Sequence, residues 1–525
     1  MILSHRPGKF ILYTLLCIVA LVSKNNEGLA QTGNPVFQYS VSMPAPANHY
    51  YHVELTINGW KKDTLDLKMP QWMPGYYQLM YYARAVEHMT AKDLAGKEIP
   101  FIKINEHNWQ LIHIKNKPLK LSYDVKAEKQ FVANSYLDST HAYIVPASLF
   151  LYANGNLQMP VSVKIITNPQ WNNIATGLEM IPGKKNEFIA PDFDILYDCP
   201  LLIGNLEELP SFKVKGVNHR FIGYNIGRFN KEKFMDNLKK VVEAAVNIIG
   251  DIPYNEYTFI AIGPGRGGIE HLNNTTVSFD GNMLETAEGM NKMMNFLAHE
   301  YFHHYNVKRI RPFELGPFDY DKGSKTNLLW VSEGLSVYYE YLVVKRAGLS
   351  DEKTLFKNLE GNINAFEDNP GRFYQSLTQA SYETWSDGPF GKQGKAAGQS
   401  ISYYDKGPIV GWILDLAIRH STENKKSLDD VMRQLYWQYY KKEHRGFTDA
   451  EFQQACETVC GNNLTEVFEY VYTTKELDYN TYLGYAGLKT IEKFEGDNSK
   501  RVIKIAHQEN TVPLQDAILR SWLDQ

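Results

Sequence analysis

The chain has 525 residues, enough for more than one domain and a sizeable buried core. Its 44% hydrophobic and 22% charged residues are ordinary for a globular protein and exclude a disordered chain. The formal charge of −4, with no long run of like charge, offers no basic patch for nucleic acid.

The N-terminus carries basic residues in "MILSHRPGKF", an apolar run "FILYTLLCIVALV" (10–22) and small residues around Ala30. These are the three parts of a secretory signal peptide spanning 1–30, cleaved after Ala30. The apolar run is too short for a membrane span, which needs about 20 residues. The mature protein is therefore expected to be exported, periplasmic or extracellular, with no membrane span. Only Cys199, Cys456 and Cys460 then remain, and they are expected to be free thiols.

From 31 to 204 the pattern is mostly β. "HVELTINGWKKDTLDLKM" alternates through Val53, Leu55 and Ile57, passes Asn58-Gly59, and resumes at Leu65, Leu67 and Met69, which predicts a hairpin. Runs such as "LKLSYDVKAE" and "PVSVKIITN" complete an expected N-terminal β-sandwich-like domain. After 205 the pattern changes. "FMDNLKKVVEAAVNIIG" places Phe234, Leu238, Val241, Val242, Ala245, Ile248 and Ile249 on one helical stripe ended by Gly250, and "YTFIAIG" (257–263) reads as a strand. From 326 the chain is almost all helix, with Ser427 as a cap and Thr448 with Glu451 as a capping box. Divisions are expected at 205–345 for a catalytic domain, 346–485 for a helical domain that completes the site, and 486–525 for a short tail.

The chemistry concentrates in "FLAHEYFHHYNVKRIRP" (296–312). His299 and His303 are four apart and share one helical face, close enough for two imidazole nitrogens to reach one Zn²⁺. Glu300 lies beside them, placed to take a proton from the attacking water. His304 is off that face and receives no ligand role. A third ligand is then required. The metzincin position holds Arg309, with Asn306 in its associated glycine slot, and the position after a spacing of eighteen residues from His303 holds Lys322, so all three fail. Glu333 in "WVSEGLSVYYEY" is the next candidate, a carboxylate on an apolar face that needs a partner. Glu340, two turns on, is the competing carboxylate, with a solvent-facing position as its alternative.

"HEYFHHYNVKRIRP", "WVSEGLSVYYEYL" and "GGIEH", with "LDLKMPQWMPGYY" and "ELDYNTYLGYAGL", resemble the glycyl aminopeptidase family of zinc metallopeptidases, in the gluzincin group, over roughly residues 36–488. The resemblance implies a multidomain α+β protein: a β-sandwich-like N-terminal domain, a thermolysin-like catalytic domain and a helical domain. It also implies His299, His303 and Glu333 as ligands of one Zn²⁺ per chain and Glu300 as general base. "GPGRGGIEH" (263–271) resembles the exopeptidase motif of related enzymes, with Gly267 and Gly268 admitting the substrate backbone and Glu270 receiving its ammonium. "YYDKG" (403–407) resembles a Tyr-x-Lys-Gly element in which Tyr404 steadies the oxyanion; Tyr403 is its rival. Family members commonly continue into a PDZ domain after "YAGL", and fewer than forty residues follow here.

The expected function is that of an exported zinc aminopeptidase acting on peptides with a free N-terminus, with Gly or Ala at the first position implied by the resemblance. The alternatives are a zinc endopeptidase and a zinc-bound, non-catalytic peptide-binding protein. Should Glu270 not anchor the amine, Glu314, Asp319 and Asp321 are the next acidic candidates.

Overall fold

The computed structural model describes residues 36–391, 398–495 and 500–524; the leader read in residues 1–30 lies outside them. No described helix is long and apolar enough to cross a membrane.

The N-terminal region is β-rich. A seven-stranded sheet has Phe37–Ser42 at its centre, antiparallel to Tyr50–Ile57 and parallel to Val161–Ile166. A four-stranded sheet holds Leu65–Lys68 between Tyr152–Ala153 and Asn108–Leu111. The inward residues of both sheets, among them Val53, Leu55, Ile57, Leu65 and Leu67, share one core.

One expectation is corrected here. Tyr50–Ile57 and Leu65–Lys68 are strands, as their alternation predicts, but they do not pair as a hairpin. They belong to different sheets, and the segment through Gly59 crosses between them. Buried Trp60, whose indole N–H donates to the carbonyl of Thr64, anchors that crossing. A buried aromatic directly after the Asn58-Gly59 pair outweighs the local turn signal.

A six-stranded sheet follows. Val217–Gly223, Glu256–Ala261 and Asn274–Val277 run parallel, and Gly268–Glu270 is the antiparallel edge strand. Period-two alternation puts its faces in different cores. Phe221, Phe259 and Val277 pack with the helices, whereas Ile222, Ile260 and Ile269 pack into the N-terminal core. The β-rich region is thus the backing of the sheet that carries the exopeptidase-like motif.

The helices cover the other face. Lys231–Ile249 buries the stripe read from the sequence and ends at Gly250 in a left-handed conformation. Ala287–Phe302 starts at Thr286, whose hydroxyl accepts from the Gly289 N–H, and stops just before His303. Thr448 and Glu451 form their capping box. Cys199, Cys456 and Cys460 are buried and free. The segment after 486 docks into the helical region. Strands Leu488–Glu495 and Lys500–His507 pair with each other, and helix Pro513–Asp524 buries Trp522 beside Trp412.

Candidate active site

The sequence puts His299 and His303 at the end of one helix, and the fold brings Glu333 to them. Glu333 lies on the π-helical turn Trp330–Gly334, which leads straight into helix Leu335–Arg346. Nε2 of His299 and Nε2 of His303 are 2.9 Å apart. Oε2 of Glu333 is 3.2 Å from His303 Nε2 and 3.6 Å from His299 Nε2. The edges of a tetrahedron with metal–ligand bonds of 2.0–2.1 Å are about 3.3 Å, so the triad has the dimensions of a zinc site. All three residues are buried.

The outer contacts of the imidazoles support the same reading. Nδ1 of His303 faces the Asn306 carbonyl at 2.8 Å, and Nδ1 of His299 faces Oε2 of Glu340 at 2.9 Å. With Nδ1 of His303 on the Asn306 carbonyl and Nδ1 of His299 beside the Glu340 carboxylate, both Nε2 atoms turn toward the same point. Two imidazole nitrogens and a carboxylate converging in a buried place need a cation. Burial opposes a charged His299, but Glu333 and Glu340 outweigh it and push its pKa well up. Burial likewise raises Glu333, and the neighbouring His303 and His299 hold it below the carboxylate range.

Glu340, the competing carboxylate, lies outside this group of three and is mostly buried, with its Oε2 against Nδ1 of His299. Seven residues separate it from Glu333, two helical turns, so both carboxylates share the face that meets the metal helix. That spacing was the available signal. Asn306, in the slot where a metzincin has glycine, donates its amide to the carbonyls of Val331 (2.8 Å) and Ser332 (3.1 Å), tying His303 to the turn that carries Glu333. Arg309, in the excluded histidine slot, donates to the carbonyls of His304 (2.7 Å) and Leu272 (3.0 Å). It joins the end of the metal helix to the end of the Gly-rich motif. His304 points away, into a buried cage of Tyr254, Tyr257, Tyr301 and Tyr305.

Glu300 is buried, its Oε2 has no hydrogen-bond partner, and Oε1 lies against Gly268, where a Cβ would come within 2.4 Å. Desolvation pushes its pKa up to about 8, against the pull of His299 and His303. A carboxylate so placed can gain and lose a proton near neutral pH. Gly267 and Gly268 line the cleft, and buried Glu270 ends the edge strand. Gly75, from the N-terminal region, presses on Glu270: a Cβ there would lie 2.8 Å from Oε2.

The hydroxyl of Tyr404 donates to Oε2 of Glu333 at 2.9 Å. Tyr403 instead turns its hydroxyl to Thr384, 3.2 Å away. Of the adjacent pair, Tyr404 is the one at the triad. The cleft in front has a volume of about 910 Å³, with Tyr76, Tyr77, Phe131, Phe390 and Tyr404 among its walls. None of Glu314, Asp319 and Asp321 lines it; Asp321 pairs with Lys68 and Tyr152, and Glu314 accepts from Thr326.

One contact from the N-terminal region went unread in the sequence. Asp198 Oδ2 accepts the Leu272 N–H at 2.7 Å, while Oδ1 faces Nδ1 of His271 at 3.2 Å and pairs with Lys308. Burial works against its ionisation, but Lys308 and His271 hold the carboxyl below its usual range. The two residues after Glu270 are thus clamped from another part of the chain. No local pattern marks such a clamp.

Residues 38–205 match the Peptidase M61 N-terminal domain and residues 292–410 match M61 glycyl aminopeptidase. No curated protein matches the chain. A crystal structure of an aminopeptidase N family protein from Idiomarina loihiensis is similar at 26% identity and a TM-score of 0.83, covering 89% of this chain and 81% of that one. An M1 zinc metallopeptidase from Deinococcus radiodurans shares the fold at 13% identity and a TM-score of 0.51, over 84% of this chain and 94% of that one. With both domain matches in their expected order and a solved relative over most of its length, the chain belongs to the M61 glycyl aminopeptidase family and is a metallopeptidase.

Proposed function

We propose that the protein is a zinc-dependent aminopeptidase that removes the first residue from peptides. The observation that carries this reading is that Glu270, buried at the end of the edge strand, lies near enough to Glu300 and to His303 of the His299–His303–Glu333 triad for its charge to act on both. His299, His303 and Glu333 would hold one Zn²⁺, which supplies Lewis acidity toward a peptide carbonyl and acidifies water. Glu270 binds the substrate's ammonium and stops the chain from extending further. Gly268, without a side chain, lets the substrate backbone lie against the edge strand beside Glu300. Glu300 takes a proton from the attacking water and passes it to the leaving amine. Tyr404 gives its hydroxyl proton as a hydrogen bond to the oxyanion. Small first residues, Gly or Ala, remain the substrate class implied by the family, and export follows from the N-terminal leader pattern.

A panel of aminoacyl-p-nitroanilides, run beside N-acetylated peptides, tests the reading. Free amino termini should be strongly preferred, and Glu300→Gln should keep its metal and fold while losing about 10²–10⁴ in rate. Acetylated peptides cut internally as fast as free ones would move the protein to the endopeptidase class.

A further inference from the structure

Beyond the triad, the cleft has a second charged end. From Glu270 back along the edge strand come Ile269, Gly268, Gly267 and then Arg266, and the last four all line the cleft. On the facing helix the lining runs back from Glu300 through Phe296 and Asn295 to Lys292, two turns and about 10 Å from His299. Arg266 is exposed, and among the described residues no carboxylate, carbonyl or aromatic ring engages its guanidinium. Lys292 has one partner, Glu288, on the exposed side of its own helix at 2.9 Å. Of the acidic groups in the same wall, Glu300 lies against Gly268, Glu340 faces Nδ1 of His299, and Asp405 follows Tyr404 in the chain. The cleft wall thus carries two cations, Arg266 four residues before Glu270 in the chain and Lys292 seven before His299, that no carboxylate of the triad engages.

We propose that Arg266, supported by Lys292, forms a carboxylate-binding subsite that selects short peptides by their far end. The inference rests on the aminopeptidase reading, because that reading sets the direction of the substrate. A peptide paired antiparallel to the edge strand, with its ammonium at Glu270, runs toward Arg266. At about 3.4 Å per residue, its third or fourth residue arrives within reach of the guanidinium. The planar fork of Arg266 matches a carboxylate in two-point contact, which an ammonium cannot do. The carboxylate has two possible sources: the C-terminus of a tri- or tetrapeptide, or an acidic side chain at the third position of a longer one.

The test uses the zinc-loaded full-length protein and Arg266→Gln on Ala-Ala-Ala, its C-terminal amide, and the longer amides Ala-Ala-Glu-Ala-NH₂ and Ala-Ala-Gln-Ala-NH₂, reading alanine release. In the wild type the free acid should exceed its amide by about tenfold in kcat/KM, carried mainly by KM. In Arg266→Gln that ratio should fall to about two or less. Discrimination confined to the Glu/Gln pair would support the subsite and identify the side chain as its carboxylate. Equal rates across both pairs in the wild type would overturn the subsite alone, as would a preference that survives Arg266→Gln. No alanine from any substrate would overturn the aminopeptidase reading and the subsite with it.

Discussion

Gly334 and Gly407 meet backbone to backbone: a Cβ on either would lie 2.7 Å from the Cα of the other. Gly334 closes the turn that carries Glu333, and Gly407 lies one turn into helix Tyr403–Ser421. Their contact lets the Tyr404 hydroxyl reach Glu333. Gly407→Ala should push the two segments apart, costing about 1–3 kcal/mol of stability through overpacking. The loss of activity should be larger than that of stability, because a displaced Tyr404 forfeits an oxyanion donor usually worth about 10²–10³ in rate. Denaturation and turnover measured on the same preparation check both. Full activity in a well-folded Gly407→Ala protein would remove Tyr404 from the mechanism.

The two carboxylates of "SEGLSVYYE" should behave differently toward metal. Glu333→Ala removes a ligand and should abolish stoichiometric zinc. Glu340→Ala leaves the ligand set intact but frees the His299 ring, and should weaken zinc binding by about 10–100-fold. Zinc content at saturating metal, followed by competition with a chelator, separates the two effects. Identical retention in Glu340→Ala and wild type would mean that Glu340 does not orient His299.

The metal helix was readable because one residue type recurs at a spacing set by helix geometry. His299, Glu300 and His303 need nothing beyond their own turn. Glu333 is readable as a carboxylate in apolar surroundings; the seven-residue spacing puts Glu340 on the same face, but which imidazole atom it meets depends on how two helices pack. The choice of Tyr404 over Tyr403 came from resemblance, and the geometry gives its reason: the adjacent hydroxyls point to Glu333 and Thr384. The pairing of Tyr50–Ile57 was misread because a local turn signal says nothing about which sheet the next strand joins. Gly75 and Asp198 carry no local signal for the same reason: one meets Glu270 and the other holds His271 and Leu272, each from a segment far away in the chain.

Lys406 gives a prediction about stability. It is 1% exposed, with its ammonium 5.3 Å from the Phe366 ring centre. Burial pulls its pKa from 10.5 down to about 8, with Glu367 acting weakly the other way. Because the folded value is the lower one, the unfolded chain holds more protons between pH 8 and 10.5. Stability from this group therefore rises with pH across that window, and the penalty is complete below it. Lys406→Met should stabilise the protein at pH 7 by about 1–3 kcal/mol, with the difference shrinking toward pH 10. Denaturant midpoints at the two pH values test this, and a gap that grows with pH would contradict it.

Asp198 should govern the choice of free amino termini without touching the metal. Its carboxylate holds the Leu272 N–H and faces His271, so it fixes the backbone just after Glu270, while Lys308 balances its charge in a buried place. Asp198→Asn keeps an acceptor for Leu272 but leaves Lys308 without its counter-charge. Leaving one member of a buried pair costs about 3–5 kcal/mol, so some loss of stability is expected. Asp198→Glu, which restores the charge on a longer stem, should recover part of it. The diagnostic reading is the ratio of kcat/KM for a free peptide over its acetylated form. In Asp198→Asn that ratio should fall, mainly through a raised KM for the free peptide, while zinc content stays near that of the wild type. A lower Tm with the ratio unchanged would leave Asp198 as a structural clamp between regions of the chain, with no hold on the orientation of Glu270.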